Sequence, residues 1–295
     1  MNQSNQTLGR LKGQTLWKSV FGTFRALFPM IFSIFFVGVS IPLFLLNRTL
    51  GEAAINISET NKSLLLSGES TVNVLDILNP VVQFSSNFLA MNLFAILTSL
   101  VAIFSSCFLV FSYLTQSSSP KFITCINRGL RYTFFRGTAG FIVYLFIIAI
   151  VFITTRVFSP LPTLIVAALG LAFPVLIISK DLGPIRSVTS SVTMKYAAHI
   201  PGGRWITFFQ ILSIAFIAFA SLMGLEYLAV QTQYLDVLLS MPRETLHSND
   251  KEFFNSIIFL SNSFLKYCGF ALVNSFLTVA LVTYLAMVDS IITTE

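Results

Sequence analysis

The sequence predicts an all-α polytopic membrane protein with six transmembrane helices and three basic cytoplasmic surface helices. Three observations carry this. Of 295 residues, 55% are hydrophobic and only 10% are charged, where an ordinary soluble domain has about 25% charged. Six windows contain no Asp, Glu, Lys, Arg or His. Each is long enough to span, because about 20 residues at 1.5 Å rise cross a hydrocarbon core of about 30 Å. Lys and Arg, finally, concentrate in alternate connecting segments. A mean hydropathy of +0.82 and 31 phenylalanines fit the same class.

The spans fall at residues 26–47, 88–114, 138–155, 161–179, 205–225 and 268–288. A polar, basic segment, residues 1–25, precedes the first and shows no small-residue cleavage site, so that span reads as a retained helix. With the N-terminus inside, the inner segments hold Arg10, Lys12, Lys18, Arg25, Lys121, Arg128, Arg131, Arg136, Lys180, Arg186, Lys195 and Arg204. That is 12 of the 18 basic residues. Short loops rich in Lys and Arg stay cytoplasmic, which predicts six spans with both termini cytoplasmic. The outer loops are then 48–87 and 226–267, the link 156–160 is a tight outer turn, and 290–295 is an inner tail.

Three inner segments read as amphipathic helices on the membrane surface. Before the first span, Trp17, Phe21, Phe24 and Phe28 form a stripe opposite Lys18 and Arg25. Before the third, Ile123, Ile126, Leu130 and Phe134 face away from Arg128 and Arg131. The last follows the break in "SKDLGPIRSVTSSVTMKY", residues 179–196. Pro184 suits a first helical turn and Asp181 complements the positive helix N-terminus. Ile185, Val188, Val192 and Tyr196 then recur on one face, opposite Arg186. Each helix precedes an odd-numbered span, so the chain reads either as three units of surface helix plus hairpin or as one ordinary basic flank met three times.

Function is less legible than topology. A net charge of +6 is spread over three juxtamembrane segments without a nucleic-acid motif, and anionic phospholipid of the cytoplasmic leaflet is the simpler partner. Each nearby Lys or Arg adds about 1 kcal/mol to such contact. The candidate lipid contacts are Lys18, Arg25, Arg128, Arg131, Arg136, Arg186, Lys195 and Arg204. Cys107, Cys125 and Cys268 have no zinc or disulfide spacing, and His199 and His247 fall on opposite sides. Neither a phosphate-binding glycine loop nor a catalytic motif is present, so no catalytic, metal or cofactor site is expected.

Polar residues within spans, Asn92, Gln210 and Asn274, read either as interhelical hydrogen-bonding groups or as a substrate site. Pro174, midway along the fourth span, would kink it, a device that transporters use at binding sites. Near the outer boundary Glu226 could pair with Lys266 or Arg156, or all three could snorkel to water.

"FPVLIISKDLGPIRSVTSSVTMKYAAHIPGGRW", residues 173–205, combines a proline-containing span, an acidic-glycine turn, a Ser-rich basic helix and an aromatic opening the next span. This resembles bacterial YciC-like inner-membrane proteins and the related membrane domain of some glycerophosphoryl diester phosphodiesterases. "LWKSVFGTFRALFP", residues 16–29, resembles the family's N-terminal surface helix. Asp181 stands where the family usually has Glu, and Ser191-Val192 departs from its aromatic. The resemblance implies a six-helix inner-membrane protein and no established reaction. The expectation is therefore a non-enzymatic membrane-organising protein that contacts anionic lipid, with a membrane-protein partner or a second copy as further partners. The alternative is a transporter or channel for a lipid or small apolar solute.

Overall fold

The computed structural model describes residues 16–46, 74–115, 120–155, 165, 168–197, 203–240 and 248–292. Residues 1–15, 47–73, Arg156, His199, His247 and the tail from 293 lie outside the described residues.

All regular structure among the described residues is helical. Helix α1 (Leu16–Phe35) runs through a π-helical turn, Phe36–Ser40, and on to Leu46. Helix α2 is Val74–Thr115. Helix α3 (Phe122–Tyr132) passes through a second π turn, Thr133–Gly137, into α4 (Thr138–Thr155). Then come α5 (Phe173–Lys180), α6 (Pro184–Thr193) with a short 3-10 turn at Lys195–Ala197, α7 (Gly203–Ser240) and α8 (Ser248–Ile292).

Five helices are long and apolar enough to cross a membrane: Leu16–Leu46, Leu89–Thr115, Phe122–Val151, Gly203–Leu225 and Lys266–Val288. They coincide with five of the six predicted spans, and the chain is a multi-pass membrane protein. Of the predicted span 161–179, the described part belongs to a shorter apolar helix, Ala168–Lys180. Its backbone turns at Leu171 and Ala172.

The spans of α2 and α8 are each 56% buried, whereas Phe122–Val151 is 17% buried. Helices α2 and α8 therefore form the centre. Helix α1 packs on both, α3 and α5 lie against α2, α7 lies against α8, and α6 bridges α4 and α5. Phe104, Leu109, Val279 and Ile31 fill the middle. Phe135 (79% exposed), Trp205, Phe146 and Ile153 point outward, as a hydrocarbon surround allows.

Three points refine the expectations. The first two predicted surface helices are not separate pieces, because each is the start of its span. Pro29 sits inside α1, and the Ser33 hydroxyl donates to the Pro29 carbonyl at 2.7 Å. At Gly137 the helix absorbs an extra residue in the π turn instead of breaking, with the Thr138 hydroxyl donating to the Thr133 carbonyl at 2.7 Å. Only α6 stands apart from the spans around it, entered by Pro184 in its first turn and left through Met194 at φ 49°.

Second, the face that packs into the bundle, for which the stripes made no prediction, is lined with small residues. Small residues look into the bundle: Ser19 and Thr23 on α1, Cys125, Gly129 and Thr133 along α3, and Ser187 and Ser191 on α6. Ile123, Phe134 and Ile185 are 62–72% exposed. Trp17, Phe21 and Phe24 gather around Phe276 of α8, with ring centroids 5.6–6.5 Å away. Hydrocarbon does not drive large apolar groups inward, so close approach of small residues decides which face packs.

Third, the predicted outer loops are partly helix. Residues 74–87 belong to α2, 226–240 to α7 and 248–267 to α8. At 1.5 Å per residue the 42 residues of α2 reach roughly 63 Å, about twice the hydrocarbon thickness.

A basic-aromatic cleft and an apolar cavity

Helix α3 brings three of the eight predicted basic residues to one place. Its spacing sets Arg128, Tyr132 and Arg136 along one side, with Arg131 beside them. Together with Phe135, and Phe108 from α2, they line a cleft of about 510 Å³. Gly129 fixes how closely α3 lies on α2, since a Cβ there would fall 2.0 Å from the Ser105 hydroxyl oxygen and 2.7 Å from the Ser105 backbone nitrogen.

The Arg128 guanidinium lies 5.8 Å from the Phe108 ring centroid and that of Arg136 5.7 Å from Tyr132. Such contacts stabilise by about 0.5–1 kcal/mol at exposed sites. A guanidinium steadied by a ring still presents a planar fork that matches a phosphate. Lys18, Arg25, Arg186, Lys195 and Arg204 are exposed elsewhere on α1, α6, the 3-10 turn and α7. They do not line this cleft.

Arg136 also pairs with the Asp181 carboxylate. Asp181 follows α5 in the left-handed region, φ 51°, and this backbone turn directs its side chain back to the start of α4. Asp181, expected as a complement to the α6 N-terminus, also makes this tertiary pair. Sequence reasoning had no signal for it, because the partners are 45 residues apart and each had a sufficient local explanation. Of the outer trio, Arg156 and the Glu226 side chain lie outside the described residues. The Lys266 ammonium sits 5.7 Å from the Phe270 ring centroid.

A second space lies deeper in the bundle. It is an apolar cavity of about 160 Å³ whose lining includes Phe35 of α1, Cys107 of α2, Tyr144 of α4, Pro174 of α5, and Asn274 and Thr278 of α8. Pro174 does not kink a continuous span as predicted. It occupies the first turn of α5, after the turn at Leu171 and Ala172. Lacking an N–H, Pro174 cannot donate to the Gly170 carbonyl. One turn back, the Ser191 hydroxyl of α6 donates to the Leu169 carbonyl, which pins the interrupted segment to α6.

Gly170 also lines the cavity, and a Cβ there would fall 1.8 Å from the Tyr144 ring. Asn274 donates to the Phe270 carbonyl of its own helix at 2.8 Å, so its amide serves neither of its predicted roles through that bond. Gln210 is exposed.

A row of rings runs from one space to the other. Phe108 to Tyr132 is 4.9 Å between centroids, Tyr132 to Phe104 is 6.3 Å, Phe104 to Phe173 is 6.5 Å and Phe173 to Tyr144 is 5.9 Å. Phe104, in the middle, is fully buried. Cys107 and Cys125 are buried free thiols and Cys268 is half-buried. Among the described residues no three His, Cys, Asp or Glu side chains gather as metal ligands. No protein-family model, curated protein or solved structure matches this chain.

Proposed function

We propose that this chain is a non-enzymatic, six-span protein of a bacterial inner membrane, with both termini cytoplasmic, that holds anionic phospholipid of the cytoplasmic leaflet and so helps organise the membrane. The YciC-like resemblance belongs to the same reading. The observation that supports it best is the cleft lined by Arg128, Arg131 and Arg136 together with Phe108, Tyr132 and Phe135. It stands on the helix that leads directly into a span. Basic pockets at that level suit phosphate headgroups, and the aromatic rings suit the adjoining glycerol and upper chain.

Native mass spectrometry of the protein in its own membrane patch tests this. Replacing Arg128 and Arg131 with Gln removes about 2 kcal/mol of attraction, equivalent to about thirtyfold weaker retention of anionic phospholipid. Unchanged retention in the double variant would sink the proposal. A second reading, passage of a lipid or small apolar solute, is favoured by the cavity beside Pro174; its first requirement is an occupant there.

A further inference from the structure

We infer that the apolar cavity at the interrupted helix is a binding site for a hydrocarbon segment of about six carbons, drawn from a lipid chain or a free apolar solute. Its volume of about 160 Å³ matches apolar cavities of about 150 Å³, which stay dry and admit benzene. The lining carries no charged residue. Of its polar side chains, the Asn274 amide is already bonded to Phe270, Thr278 is almost wholly buried, and Tyr144 presents its ring edge to Gly170. Water needs two to four polar partners to settle in such a space, and these walls are overwhelmingly hydrocarbon.

The space is also built, because separate features keep it open. The interruption at Leu171 and Ala172 sits between Gly170 and Pro174, both of which line the space. Ser191 holds that interruption in place through the Leu169 carbonyl. Cys107 and Thr278 put short side chains where Leu or Phe would fill the gap. Tyr144 already presses on Gly170, so the wall cannot collapse inward there.

The unaltered protein in phosphatidylethanolamine–phosphatidylglycerol vesicles tests the inference with two probes. The first is a phospholipid bearing a diazirine at its chain terminus. The second is fluorobenzene, followed by fluorine NMR. Photoadducts concentrated at least tenfold on 274–282 and 170–175 over outward-facing Phe146 and Ile153 identify a lipid chain. Saturable fluorobenzene binding without such adducts identifies a free solute. In either case T278L lowers the signal at least tenfold, and C107L serves if T278L does not fold. Adducts no denser in the cavity than on Phe146 and Ile153, together with no saturable fluorobenzene binding, overturn the inference. The result is independent of the arginine cleft, because neither probe reports headgroup charge.

Discussion

Arg136 serves two partners. Its guanidinium lines the basic cleft and simultaneously meets Asp181. The pair is solvent-accessible, with the Asp181 side chain 72% exposed, so it contributes little to stability, at most about 1 kcal/mol. Its larger effect is competition, since a carboxylate on Arg136 occupies donors that a phosphate would use. Asp181→Asn should therefore leave the melting temperature in detergent nearly unchanged. It should raise affinity for phosphatidylglycerol vesicles about fivefold, the equivalent of one cation near an anionic surface. Vesicle co-sedimentation reads this, and equal or weaker binding by the variant would show that Asp181 does not compete. The basic residues of this site were legible one by one from the positive-inside pattern. Their convergence was not, because it depends on how α3 lies on α2.

At the scale of elements, small residues decide contact. Gly129 allows α3 to touch the backbone of α2 at Ser105; an added methyl there meets main chain, which cannot rotate away. Overpacking of that kind costs about 1–3 kcal/mol. Gly22 on α1 is different, since a methyl added there would have no neighbour within 4 Å, and alanine should gain roughly 0.5–1 kcal/mol from helix propensity. Thermal unfolding in detergent should thus place Gly129→Ala below and Gly22→Ala at or above the parent. The opposite order would mean that α3 does not pack as described. The same physics sets which face of each helix packs. In water the aromatic stripe of an amphipathic helix marks the packed face, but in lipid Ile123, Phe134 and Ile185 are content outside while Cys125, Thr133 and Ser187 turn inward. Five spans were legible because charge-free windows register directly in composition. The two π turns left no comparable mark, since each inserts only one residue into an otherwise unbroken helix.

Across the whole molecule, α2 and α8 form a central pair around which the other helices assemble. Phe104 of α2 sits where the central pair meets the interrupted helix, touching Tyr132 on one side and Phe173 on the other. Gly137 belongs to this contact, as a Cβ there would fall 2.3 Å from the Phe104 ring. Phe104→Ala should destabilise by about 3–5 kcal/mol, the usual range for a buried phenylalanine, measured by denaturant unfolding in micelles. A loss under 1 kcal/mol would mean that neighbouring rings close the gap. Composition and charge placement reveal the membrane class and most of the span positions. They could not place the cavity, which depends on five helices meeting around a backbone interruption whose proline looked like a simple kink.

That same aromatic row has an electrical consequence. A membrane at 100 mV drives each elementary charge with about 2.3 kcal/mol, and any continuous thread of water through the bundle would short-circuit it. The arginine cleft is wettable and the deeper cavity is not. Phe104, buried in the ring row between the cleft and the cavity with no exposed surface, is where a smaller side chain would be expected to admit such a thread first.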